Sequence, residues 1–129
     1  MAFYDIFNGD ADGLCARHQL RLQEPRAVTL VSGVKRDIQL LRLVRPDRGD
    51  QLTILDMSLD SNRPDLQRVL EAGANCVWID HHYAGELIEH PALHCVIDVS
   101  ADVCTSLIVD RWYSGCIAYR FEPFTHDYR

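Results

Sequence analysis

Short apolar runs alternate with stretches of helical periodicity along most of the chain. Phe3 to Phe7 reads as a first strand, and Asp12 to Gln23 as a helix ended by Glu24-Pro25. Ala27 to Val31 is rich in β-branched residues and predicts a second strand, with a turn at Ser32-Gly33. Val34, Ile38 and Leu41 recur at helical spacing and predict a helix from about Lys35 to Val44. Arg45 to Asp50 is a turn-rich linker. Leu52 to Asp56 is the third predicted strand. Asn62 is a candidate cap for a following helix, with Pro64 in its first turn, Leu66, Val69 and Leu70 on its apolar side, and Gly73 at its end. Asn75 to Asp80 and His94 to Asp98 predict two more strands, and Ala101 to Trp112 a last helix.

Strands alternating with helices of this length imply βαβ units. The runs VTLV, LTIL and CVWI are nearly all apolar, as strands covered on both faces are. The predicted fold is therefore α/β: a doubly wound, mainly parallel sheet with helices on both faces, spanning residues 1–112. The alternation stops there, and 113–129 reads as an irregular tail.

Bulk properties narrow the function. A chain of 129 residues suits one domain with a real core. The formal net charge of −6 lacks the basic surface that grips long nucleic acid, which favours a small phosphorylated or short single-stranded nucleotide substrate over stable duplex binding. No apolar run reaches membrane-spanning length and no secretory leader opens the chain, so a cytoplasmic protein without membrane association is expected. The five cysteines, Cys15, Cys76, Cys95, Cys104 and Cys116, are widely spaced without a CxxC pair, which predicts buried reduced thiols. An apolar sheet edge left open would favour a homodimer.

The candidate chemistry lies where the strands end. Ligands of an open parallel sheet bind beyond the strands' carboxyl ends. The first strand runs into Asn8-Gly9-Asp10-Ala11-Asp12-Gly13, the third ends at Asp56, and the fourth at Asp80-His81-His82. Alone, Asp10 and Asp12 equally suit a helix cap and an Asx-turn, and Asp56 a turn. Together, carboxylates that repel one another and an imidazole form a donor set for Mn²⁺ or Mg²⁺, with one or two ions and Asp56 as the candidate bridge.

FNGDADG, LDMSLD and IDHH, in that order, resemble the DHH phosphoesterase superfamily across roughly residues 3 to 112. FNGDADGLCA with SGVKRD and VCTSLIVDR is similar to a bacterial branch whose members carry phosphoesterase or acetyltransferase labels. The chain has no sequence feature for an acyl-CoA pyrophosphate loop, so its residues favour the phosphoesterase label. The resemblance implies metal-dependent hydrolysis of a phosphodiester or phosphomonoester. Asp10 would bind the first metal, Asp12 and His81 the second, and Asp56 both. His82 would meet the scissile phosphate or the leaving group, with Asp80 orienting His81. Ile6 stands where many members carry a histidine, which weakens the first metal site, and Asn8 is a polar substitute or water-holder there. Lower-ranked substrate contacts are Lys35 and Arg36, at the start of the predicted second helix, and Thr105 and Ser106, early in the last one. Arg17 and Arg21 are read as solvated, and Asp98 as a turn cap. The family's fourth motif, a further Asp, and its second domain are not recognisable after residue 112; Asp127 lacks the expected setting. A catalytically impaired remnant that binds nucleotide or protein is the alternative. A phosphoacceptor pocket around Asp56 is a third reading, disfavoured by the two histidines.

Overall fold

A computed structural model describes residues 1–113. Five strands form one sheet: β1 (Phe3–Asn8), β2 (Thr29–Gly33), β3 (Gln51–Leu55), β4 (Asn75–Asp80) and β5 (Leu93–Ile97). Their order is β2-β1-β3-β4-β5, and all four pairings are parallel. The α-helices among the described residues are α1 (Ala11–Gln23), α2 (Arg63–Glu71) and α3 (Thr105–Tyr113). Tyr113, assigned from the sequence to an irregular tail, closes α3. Asp127, His126 and Cys116 lie outside the described residues.

Alternation along the central strands builds two cores. Ile6, Leu52, Ile54, Cys76 and Trp78 face Leu66, Val69 and Leu70 of α2 and the pair Leu40-Leu41. Phe7, Leu55, Val77 and Ile79 face Ala16 and Leu20 of α1 and Ile108 and Val109 of α3. Helices on both faces make the sheet doubly wound. Successive crossovers run to opposite sides of β1, so the sheet's switch point lies between the carboxyl ends of β1 and β3. No helix among the described residues is long and apolar enough to cross a membrane.

Several local expectations fail for identifiable reasons. The helix predicted from Lys35 to Val44 is a single 3-10 turn, Leu40–Leu43. Side chains from α2 and its entry take the carbonyls a helix would have used: Asn62 Nδ2 donates to Ile38 O at 2.6 Å, and Arg68 donates to Leu41 O and Val44 O. Val34 and Ile38, whose spacing suggested the helix, are exposed. Asn62 therefore makes no side-chain cap for α2. β2 is an edge strand with Thr29 and Leu30 exposed, so its apolar sequence does not signal cover on both faces. Cys76 is buried, but Cys15 is exposed.

Arg21, expected to be solvated, is buried on the sheet side of α1. Its guanidinium meets Asp5 of β1 at 2.9 and 3.2 Å and the Glu24 carbonyl at 2.8 Å, and Arg17 adds a contact to Asp5 at 3.4 Å. Asp5 is 1% exposed. This ion pair fastens α1 to the sheet behind the loop that carries Asp10 and Asp12. Removing one partner strands a buried charge, so Arg21→Met is expected to cost about 3–5 kcal/mol in urea unfolding. The double variant Asp5→Leu/Arg21→Met recovers most of that loss. A double variant whose loss equals the sum of the two single losses would mean that the residues act independently.

Candidate metal centre

The site is assembled from three strand ends and the first turn of α3. After β1 the chain turns sharply into α1. Two close approaches enforce the turn: a Cβ on Gly9 would stand 2.0 Å from Gly33 O, and one on Gly13 would stand 2.0 Å from Asn8 O. Asn8 pins the loop with both ends of its amide, accepting from Asp10 N at 3.0 Å and donating to Lys35 O at 3.0 Å. Both ends of the amide are thus engaged within the loop rather than at the donor cluster. Asp10 caps α1 by accepting from Gly13 N at 2.9 Å. Its carboxyl also lies within hydrogen-bonding reach of Asp56.

Asp56 follows β3 with a positive φ of 60°, a left-handed conformation uncommon for a non-glycine residue. Its surroundings hold it there. Asp56 N donates to Ile79 O at 3.0 Å. The buried Trp78 indole donates to Met57 O at 2.8 Å, and Met57 and Leu59 are fully buried. The Asp56 carboxylate is 1% exposed and faces the switch point. From β4, His81 Nε2 lies 3.2 Å from Asp56 Oδ1 and 3.4 Å from Asp12 Oδ2.

Two donors about 2.1 Å from one divalent ion, at ordinary coordination angles, stand about 3.0–3.4 Å apart. Both contacts of His81 Nε2, to Asp12 Oδ2 and to Asp56 Oδ1, meet that spacing without rearrangement. Ligand atoms of Asp56, Asp80, His81 and His82 also lie within 4.8 Å of one another, so a second donor set shares Asp56 and His81. Within it, Asp80 Oδ1 and His82 Nδ1 are 2.6 Å apart, a hydrogen bond and closer than two ligands of one ion. Asp80 thus orients His82, and not His81 as the sequence suggested. Asp80 is fully buried and its Oδ2 has no hydrogen-bond partner. A buried carboxylate oxygen without a donor is costly in isolation and fits a site built for a cation.

The electrostatics point the same way. Burial, the Asp10 carboxyl, and the charges of Asp12 and Asp10 push Asp56 up to about 8, against a donated bond from Thr105. Burial also acts to raise Asp12, but the backbone amides of Ser106 and Thr105 outweigh it and hold Asp12 below the usual carboxylate range. The hydrogen bond that its ring gives to Asp80 raises His82.

The remaining expected contacts fall elsewhere. Ile6 is buried in the α2-side core and offers no donor. Lys35 and Arg36 are exposed beyond the end of β2, but no helix begins there, so the helix-terminus phosphate site is absent. Thr105 is fully buried and cannot meet substrate. Its amide donates to Asp12 Oδ2 at 3.0 Å and its hydroxyl to Asp56 Oδ1 at 3.0 Å. Ser106 is half-buried, and its amide donates to Asp12 Oδ1 at 2.8 Å. Asp98 accepts from Ser100 N at 2.9 Å and caps a turn. Among known proteins, no family model, curated protein or solved structure matches the chain.

Asp56 makes metal-free stability depend on pH in a defined window. Folded, it keeps its proton to about pH 8; unfolded, it releases it near 3.8. Between these values the folded state binds more protons, so stability falls as pH rises. His82, raised from 6.5, adds a loss in the same direction only above 6.5. Asp12, lowered from 3.8, loses its contribution only as pH falls below 3.8. Melts in chelator from about pH 4.5 to 6.5 therefore isolate Asp56: Tm should fall across the range in the parent and stay level in Asp56→Asn. A level parent would contradict the account of Asp56.

Proposed function

We propose that the chain is a metal-dependent phosphoesterase that uses Mn²⁺ or Mg²⁺ to hydrolyse a small, nucleotide-derived phosphate ester. One observation carries the reading: His81, after β4, stands at ion-ligand spacing from both Asp12, after β1, and Asp56, after β3, at the switch point of a parallel sheet. The resemblance of FNGDADG, LDMSLD and IDHH to the DHH phosphoesterases supports it. So does the acidic balance of the chain, which suits a small anion whose charge is met locally by a cation.

When bound, a divalent ion supplies a Lewis acid for a phosphoryl oxygen and a nucleophilic hydroxide at neutral pH. Asp12, Asp56 and His81 would hold it, with Asp10 beside them for a second ion. Asp80 takes the Nδ1 side of His82, which leaves Nε2 to hold a proton for the departing oxygen. The half-exposed His82 ring lies tilted against His81, with centroids 4.2 Å apart, so that proton lies next to the proposed ligand set. Lys35 and Arg36, exposed beyond β2, offer free positive charge to outer phosphate oxygens without a helix terminus behind them.

A second reading, binding without turnover, draws on the first metal position. Ile6 is in the core and Asn8 is committed to the loop, so Asp10 and Asp56 alone serve that position among the described residues.

Mn²⁺ calorimetry with assays on a dinucleotide separates these readings. The parent is expected to bind Mn²⁺, and Asp56→Ala and His81→Ala to lose that binding. Mn²⁺-dependent hydrolysis should drop about 10²–10⁴-fold in His82→Ala, with Mn²⁺ affinity retained. Binding of both metal and nucleotide without hydrolysis favours the binding module. A folded parent that binds no divalent ion rules out the metal-dependent reading.

A further inference from the structure

Among the described residues, Thr105 is the one whose hydrogen bonds hold two of the three converging donors at once. Its backbone amide reaches Asp12 Oδ2 and its hydroxyl reaches Asp56 Oδ1, each at 3.0 Å. These are the same two oxygens that face His81 Nε2, at 3.4 and 3.2 Å. The side chain is fully buried, so the hydroxyl has no water to exchange with. Asp56 itself stands on a strained backbone whose carboxylate is otherwise crowded by Asp10 and Asp12. A carboxylate in such a place needs a fixed donor to choose its rotamer.

We infer that Thr105 is a positioning residue of the metal centre: its hydroxyl fixes the Asp56 carboxylate, and its amide the Asp12 carboxylate, in the geometry that takes up the ion. This rests on the metal-binding reading above and assigns Thr105 a role behind the ligands, without contact to substrate. Outer donors of this kind orient ligating carboxylates, and their loss commonly weakens metal binding about 10–100-fold. The arrangement also ties the first turn of α3 to the site. Asp12 accepts the amides of both Thr105 and Ser106, so ion uptake and the seating of α3 on α1 are linked.

The test is Mn²⁺ calorimetry on the full chain with Thr105→Val and Thr105→Ser, beside melting temperatures in chelator. Valine keeps the shape and removes the donor; serine keeps the donor. The expected result is about 10–100-fold weaker Mn²⁺ binding in Thr105→Val, and affinity close to the parent's in Thr105→Ser. Should valine prevent folding, Thr105→Cys, a weak donor of similar size, takes its place with the same expectation. A parent that binds Mn²⁺ and a donor-less variant that binds it equally well, with only its melting temperature lowered, would overturn the role of Thr105 and leave the metal reading standing. A folded parent that binds no Mn²⁺ would overturn both.

Discussion

Carboxylates brought together out of water repel one another, and the fold brings Asp10, Asp12 and Asp56 together at the point where its crossovers diverge. Without a cation, Asp56 resolves the crowding by keeping its proton toward pH 8. A bound divalent ion would resolve it by replacing that proton, and His81 Nε2, at 3.2 and 3.4 Å from Asp56 and Asp12, would join the donor set. Most of the surrounding structure serves to hold these groups near each other. The Asp5–Arg21 pair seats α1, Gly9 and Gly13 allow the tight turn, and Trp78 with Ile79 holds the bend at Asp56.

The same constraint explains the division of labour after β4. Consecutive histidines at a strand end point to different tasks: His81 joins Asp12 and Asp56, while His82 pairs with buried Asp80 and keeps a half-exposed ring at the mouth of the site. On the proposed function, His81 would bind the ion and His82 would hold a proton, a division suited to phosphoryl chemistry. Thr105 and Ser106 close the set from behind, so α3 serves the ligands while α2 serves the opposite core.

Much of this was legible in the sequence, and the exceptions share a cause. The runs of β3 and β4 declared themselves because both their faces are covered, and Asp12, Asp56 and His81 stood out because each follows a strand. β2 carried a similar apolar signal at an edge, where Thr29 and Leu30 are exposed. The false helix before Leu40 arose because Asn62 and Arg68, more than twenty residues away, take the carbonyls that local spacing assigned to helical bonds. The capping of α3 by Asp12 spans 93 and 94 residues, beyond any local pattern, so Thr105 and Ser106 read as substrate contacts. Which histidine Asp80 orients depends on ring directions just past the end of β4, and spacing does not encode those.

The most direct measurement is anomalous scattering from crystals of the chain grown with Mn²⁺. The account predicts a peak bounded by Asp12, Asp56 and His81, with Thr105 still donating to Asp56 and His82 outside the coordination sphere. A crevice without a peak, while Mn²⁺ occupies other positions on the surface, would contradict it.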